Sequence, residues 1–235
     1  MVNNQEKKIV AIVPSAGIGK RFGHRKNKPF HLLSGKPLII WSLEALQGVK
    51  EIKEIIPVVK EEDMKTVASL IEKYNISKVR RIVPGGKERQ DSVYNGIKAL
   101  DDDVSVVLIH DGVRPLVEKD LIKRTISGLR GFDGVIAGVP VKDTIKEVGS
   151  NEKDVVVRQT LNRNVLWAIQ TPQVFRYKKI VEALERARAD AYYATDDAAL
   201  VERYGGRVKI VRGSYRNIKI TTSEDIQIAE ALIRI

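Results

Sequence analysis

Residues 8–30, KIVAIVPSAGIGKRFGHRKNKPF, constrain the fold of this chain more than any other stretch. The apolar run at 9–13 has no polar residue to give to solvent, so it reads as a strand covered on both faces. Such a strand belongs in a sheet with helices above and below it. It ends in Ser15-Ala16-Gly17-Ile18-Gly19, and five basic residues then fall within nine positions: Lys20, Arg21, Arg25, Lys26 and Lys28. Where no Cβ intervenes, backbone N–H groups can approach phosphate oxygens closely, and cations behind them neutralise the charge. The alternative is a plain strand-to-helix turn with surface cations.

The rest of the chain supplies the sheet. A helix is expected over 37–46, with Pro37 in its first turn and Gly48 near its end. A buried strand follows at 52–59. Met64, Val67, Ala68 and Ile71 have helical spacing within 62–74. A short strand at 79–83 is broken by Pro84-Gly85-Gly86, and a helix follows over 89–100. Residues 104–109 (VSVVLI) are the most apolar and take the centre of the sheet. A helix at 118–129 and a strand at 134–139 continue the alternation, which predicts an α/β fold: a largely parallel sheet with helices on both faces.

The pattern then changes. Residues 141–148 and 155–161 alternate apolar and polar around Gly149-Ser150-Asn151. This predicts an antiparallel β-hairpin that leaves the main sheet, with one face needing cover. Residues 166–169 return to the sheet. Helices follow at 177–189 and 196–204, the second capped by Thr195 with Asp196 and Asp197 at its positive end. Short strands are expected at 208–211 and 217–220. Thr221-Thr222-Ser223-Glu224 has capping-box spacing and opens a last helix that runs to Ile235. Without repeats or linker-like stretches, 1–235 reads as one domain with an arm at about 140–165.

Composition removes several chemistries. The absence of cysteine excludes disulfides, thiolate catalysis and cysteine zinc sites, and His24, His31 and His110 lack metal-ligand spacing. No apolar run approaches the ~18–20 residues needed to span a bilayer. The opening MVNNQEKK lacks the apolar core of a signal peptide, so a cytoplasmic location is expected, with no membrane partner. The formal charge of +11 suits an anionic partner: a nucleotide, a sugar phosphate or a nucleic acid. The four Phe, seven Tyr and two Trp do not interleave with basic runs as base-stacking platforms would, so no nucleic-acid partner is expected.

Gly17-x-Gly19 is not a dinucleotide fingerprint, because Phe22 stands where the third glycine belongs, and no Walker A loop is present. What remains is a glycine loop with Arg21 and Lys28 placed to reach one triphosphate from two sides. His110-Asp111 falls at the carboxyl end of the central strand, the usual ligand crevice of an open α/β sheet. An aspartate there either holds Mg²⁺ against phosphate oxygens or caps the turn. Arg114 reads as a structural arginine paired with carboxylates. Lys219 lies within an apolar stretch and, turned inward, needs an anion. Lys142, Arg158 and Arg163 on the hairpin read as solvation and edge protection.

Taken together and in order, AGIGKR, Lys28, GGKERQDSV, HDGVRP, VKDTIK, LNRNVLWAIQTPQVF, ATDDAAL and NIKITTSEDIQIAE resemble one family nearly end to end. That family is the 2-C-methyl-D-erythritol 4-phosphate cytidylyltransferases of the nonmevalonate isoprenoid pathway. The resemblance implies a Rossmann-like nucleotidyltransferase sheet and a homodimer whose hairpin arm reaches into the partner's active site. It implies transfer of CMP from CTP to a sugar-alcohol phosphate with Mg²⁺ or another divalent cation, releasing pyrophosphate. Arg21, Lys28 and Lys219 would surround the reacting phosphates. Ala16, Gly17, Gly19, Gly86, Ser92 and Asp111 would bind the nucleotide, with Gly86 and Ser92 beside the cytosine and Asp111 also assisting the metal. Asp143, Thr144 and Arg163 of the neighbouring subunit, with Thr195, would meet the acceptor.

The implied nucleophile is a phosphate monoester, already anionic at pH 7, so the reaction needs no general base. It needs relief of repulsion between anions and stabilisation of charge at the α-phosphorus. The chain departs from the family's usual pattern in places. Ser15, after Pro14, replaces one of two alanines; Asn27-Lys28-Pro29 replaces Pro-Lys-Gln; HDGVRP replaces the commoner HDAARP. Two other readings stay open: a ribitol 5-phosphate cytidylyltransferase, which shares much of the motif set, and a non-catalytic basic nucleotide- or RNA-binding protein.

Overall fold

The computed structural model describes residues 8–17, 28–150 and 154–234. β1 (Lys8–Pro14) carries five successive buried residues. Two short antiparallel strands, β2 (Leu32–Leu33) and β3 (Lys36–Pro37), lead into α1 (Leu38–Gln47). The alternation continues through β4 (Ile52–Val59), α2 (Met64–Lys73), β5 (Val83–Pro84), α3 (Arg89–Lys98), β6 (Val104–Ile109), α4 (Lys119–Ser127) and β7 (Gly134–Pro140). A separate hairpin of β8 (Lys146–Ser150) and β9 (Val155–Thr160) follows. The chain ends with β10 (Trp167–Arg176), α5 (Tyr177–Ala189), α6 (Asp197–Arg203), β11 (Val208–Arg212) and α7 (Ser223–Ile233).

The main sheet has seven strands in the order β11-β7-β10-β6-β1-β4-β5. Neighbours pair in parallel except at β10, which is antiparallel to both β6 and β7. β6 lies at the centre, as its composition predicts. Alternation of side chains along β1 divides the core in two. Ala11 and Val13 join a cluster with Leu43 of α1, Val67 of α2 and Leu121 of α4. Val10 and Ile12 join the opposite cluster with Ile97 of α3, Leu184 of α5 and Leu200 of α6. Both faces are covered, so the continuous apolar runs of β1 and β6 have no polar side.

Several expectations need correction. The strand expected at 79–83 contracts to β5, and Val79 keeps a single bridge to Ile55. Between them Arg81 fastens the segment by its side chain, donating to Glu54 Oε1 at 2.8 Å and to the Ala99 carbonyl at 2.6 Å. The return expected at 166–169 is a strand of 10 residues, β10. Its polar middle, Gln170 to Gln173 with Pro172, conceals it in the sequence. The ladder to β7 shifts register there, which accommodates a proline in an interior strand. Residues 217–220 form no strand; the Ile220 N–H donates to the Val113 carbonyl at 2.9 Å instead.

Asp196, not Thr195, caps α6, accepting from the Ala199 N–H at 2.9 Å. The capping box of α7 is Thr222 with Asp225, one residue beyond the expected pair. In the hairpin, β8 begins only at Lys146, and 141–145 form an irregular lead-in. Every residue of β9 is exposed, so the face of the arm that needs cover finds none within this chain.

Candidate active site

From β1 the chain moves to β4 on one side of the sheet and later to β6 on the other. The carboxyl ends of β1 and β6 are therefore the point where strand order reverses, which in open α/β sheets opens a crevice for ligands. Asp111 leaves the end of β6 and is 5% exposed. Its Oδ1 accepts from Arg89 Nε at 3.3 Å. Its Oδ2 accepts from Arg114 Nε at 3.2 Å and lies 3.1 Å from Lys219 Nζ. Burial alone would push the Asp111 carboxyl up. The charges of Arg89, Lys219 and Arg114 outweigh burial and hold it well below the usual carboxylate range. Arg89 also donates through Nη2 to Asp197 Oδ2 at 2.8 Å. Asp197 is fully buried, and burial pushes its carboxyl up. Three cations and two carboxylates are thus paired with one another. Arg89, Asp111, Arg114 and Lys219 line a cavity of about 470 Å³ together with Thr195, Asp196 and Glu202.

A hydrogen-bond chain fixes Asp111 from behind. Its backbone N–H donates to Thr171 Oγ1 at 3.0 Å, the Thr171 hydroxyl donates to His110 Nδ1 at 3.0 Å, and His110 Nε2–H donates to the Arg114 carbonyl at 3.2 Å. In the neutral ring the proton sits on Nε2, because the Arg114 carbonyl can only accept, and Nδ1 then accepts from the hydroxyl. Burial lowers the His110 pKa to about 4. The buried Asn217 side-chain amide donates to the Thr171 carbonyl at 2.8 Å, and the Asn217 backbone carbonyl accepts from Arg114 Nη1 at 2.8 Å. This cross-bracing, rather than strand alternation, sets Lys219 against Asp111.

The first of the residues expected to meet the nucleotide lie just after β1. The Ser15 N–H donates to the Val58 carbonyl at 2.7 Å, and the Gly85 N–H to the Val59 carbonyl at 2.7 Å. A Cβ on Gly85 would collide with that of Ala16, so the two loops touch because position 85 is glycine. Ser92 is buried on α3, and its Oγ accepts from the Gly86 N–H at 3.1 Å. Gly17 is exposed beside Ala16. Lys28 opens a 3-10 turn, Lys28–Phe30, whose Pro29 is buried. Gly19 and Arg21 lie outside the described residues.

The structure therefore brings Asp111, Lys219 and Thr195 to one cavity, and Ala16 to the Gly85–Gly86 loop that Ser92 of α3 holds. It does not bring the arm residues to that cavity. Asp143 and Thr144 are exposed in the lead-in to β8. Arg163, exposed beyond β9, donates to the Lys142 carbonyl at 2.8 Å. Sequence reasoning missed Arg89, Asp197, Thr171 and Asn217 as parts of the site. Their only signal was membership of the motifs GGKERQDSV, ATDDAAL, QTPQ and NIKI.

The family model described as 2-C-methyl-D-erythritol 4-phosphate cytidylyltransferase matches residues 9–235. The chain belongs to this family. Curated cytidylyltransferases of that name from Pelotomaculum thermopropionicum and Syntrophus aciditrophicus are 45% and 46% identical to it over 228 residues. Those matches cover 97% of this chain and 94% and 96% of the relatives. Among solved structures, a 4-diphosphocytidyl-2C-methyl-D-erythritol synthase from Anaerococcus prevotii is 38% identical. It superposes with a TM-score of 0.84, covering 98% of this chain and 100% of that one. The cytidylyltransferase of this family from Francisella tularensis gives 0.80 at 27% identity, covering 96% and 99%. A cytidylyltransferase of this kind is a nucleotidyltransferase, and the fold and the charge at Asp111 agree with that. Among the described residues, no helix is long and apolar enough to cross a membrane.

Proposed function

We propose that this cytidylyltransferase transfers the CMP unit of CTP to the phosphate of 2-C-methyl-D-erythritol 4-phosphate. The products are 4-diphosphocytidyl-2-C-methyl-D-erythritol and pyrophosphate. The observation that carries the reading is the ionised Asp111, set among Arg89, Arg114 and Lys219 where the strand order reverses. A phosphate oxygen of the acceptor forms a bond to the α-phosphorus as the bond to the β-phosphate bridging oxygen breaks. Pyrophosphate carries away the electron pair. The nucleophile is already an anion, so no residue need take a proton. The protein's task is to align two anions and stabilise the charge that gathers between them.

We assign Arg21, Lys28 and Lys219 to the reacting phosphates, and Ala16, Gly17, Gly19, Gly86, Ser92 and Asp111 to the nucleotide. Thr195, with Asp143, Thr144 and Arg163 of the neighbouring subunit, is assigned to the acceptor, which makes the working molecule a homodimer. Exposed Val155, Val156 and Val157 on both faces of the arm support that assembly.

The donor set suits Mg²⁺. No group of three or more acidic or imidazole side chains is gathered for a metal among the described residues. A cation that draws most of its oxygens from phosphates and water needs only a carboxylate or two, and Asp111 supplies one that is ionised. When bound there, Mg²⁺ would neutralise phosphate charge.

The test is pyrophosphate release from CTP with Mg²⁺, comparing methylerythritol 4-phosphate, ribitol 5-phosphate and no acceptor. Release with the first alone is the expected result, and chelating the metal should abolish it. Release with ribitol phosphate alone would move the acceptor. No release with either would overturn the enzymatic reading.

A further inference from the structure

Arg89 is the first residue of α3, directly after the Gly85–Gly86 loop and the Glu88 cap. Its guanidinium spans two buried carboxylates from distant parts of the chain. Nη2 meets Asp197 at the start of α6 at 2.8 Å, and Nε meets Asp111 at the end of β6 at 3.3 Å. The nearer partner is Asp197, which lies behind the cavity wall, whereas Asp111 lines the cavity itself. Arg114 and Lys219 both approach the other Asp111 oxygen.

We propose that Arg89 is a positioning residue, anchored by Asp197, that holds Asp111 Oδ1 and so keeps Oδ2 turned toward Arg114, Lys219 and the incoming phosphates. This rests on the role given to Asp111 under the proposed function. A planar fork does this and an ammonium does not, because two N–H groups set at a fixed angle can serve two carboxylates at once. The same clamp links the loop assigned to the cytosine with the helix start beside Thr195. A shift of α3 would therefore be felt on both sides of the cavity.

The test compares Arg89→Lys, Asp197→Asn and the double variant with wild type in kcat, KM for CTP, melting temperature and the crystallographic orientation of Asp111. Arg89→Lys keeps the charge and should lower kcat about 10–100-fold while KM for CTP changes by less than about 3-fold. Asp197→Asn should lower kcat in the same direction. The double variant should be no worse than about the poorer single one, since the two residues act as a unit. In the crystal structure of Arg89→Lys, the Asp111 carboxylate should turn from its wild-type orientation. Wild-type kcat in Arg89→Lys would overturn the inference. So would multiplicative losses in the double variant, or a lower melting temperature with unchanged kcat per folded molecule. An inactive wild-type enzyme would instead overturn the proposed function. The orientation of Asp111 in Arg89→Lys would still decide the positioning role, and an unmoved carboxylate would refute it.

Discussion

At the scale of the residue, two departures from the family's usual sequence are one structural change. A Cβ on Gly112 would fall on the Ser15 hydroxyl oxygen, and that hydroxyl is buried, reaching the Val13 carbonyl at 3.4 Å. The oxygen added after β1 fits because a methyl is missing after β6. Gly112→Ala should therefore overpack the junction and cost about 1–3 kcal/mol. Ser15→Ala alone should cost less, and Ser15→Ala with Gly112→Ala should recover most of the loss. Denaturant unfolding of the three variants measures this; simply additive costs would refute it. Lys28→Ala should lower kcat about 10²–10³-fold, the usual consequence of removing one preorganised electrostatic donor. Steady-state kinetics alongside circular dichroism would show whether the loss occurs in a folded protein. Asp111 and Lys219 were legible in the sequence because each had a local reason to be noticed: a strand end, and a charge among apolar neighbours. Arg89 and Asp197 were not, because a pair separated by 108 positions leaves no local pattern.

At the scale of the element, apolar periodicity located β1, β4, β6, β7 and α5 because their neighbours are hydrophobic layers. It failed where polar groups replace apolar packing. β10 is hidden by Gln170, Thr171 and Gln173, all buried, whose side chains bond to Ser214, His110 and Asp196. The segment 217–220 looked like a strand because its apolar residues alternate, yet Arg114 and Val113 hold it crosswise. The junction of β6 with β10 also carries a pH dependence. His110 sits between Thr171 and the Arg114 carbonyl, with the charged Asp111 and Arg114 beside it, and burial lowers its pKa to about 4. The folded value lies below the unfolded one of 6.5. The stabilisation it reports is therefore complete above pH 6.5 and drains away as pH falls toward about 4, by at most about 3 kcal/mol. Denaturant midpoints should decline between about pH 7 and about pH 4.5, and the ring's ¹⁵N shifts should stay neutral to below about pH 5. A ring that charges near its ordinary pKa would contradict the control of this histidine by burial.

At the scale of the molecule, the cavity and the arm do not meet within one chain. Asp111, Lys219 and Thr195 line the cavity, whereas Asp143, Thr144 and Arg163 sit exposed at the base of a ribbon whose valines are also exposed. Val155 is 80% exposed, which burial against a second copy would remedy. If the arm completes the partner's site, defects in the core and in the arm must complement each other. On the proposed assignment, Lys28→Ala disables a subunit's own phosphate-binding site but leaves its arm intact; Arg163→Ala does the reverse. Each homodimer should be nearly inactive. After the two are mixed and allowed to exchange, half of the dimers are heterodimers. In each of these, the site with Lys28 receives the arm with Arg163, while the other site carries both lesions. Recovered activity should approach about a quarter of wild type, as two-fold symmetry dictates. If Arg163 serves its own chain, every site in the mixture keeps one lesion and activity stays at the level of the separate variants. Sedimentation of the mixture confirms that dimers persist, and co-capture of differently tagged variants confirms that they have exchanged, so an absence of recovery would speak against the shared site.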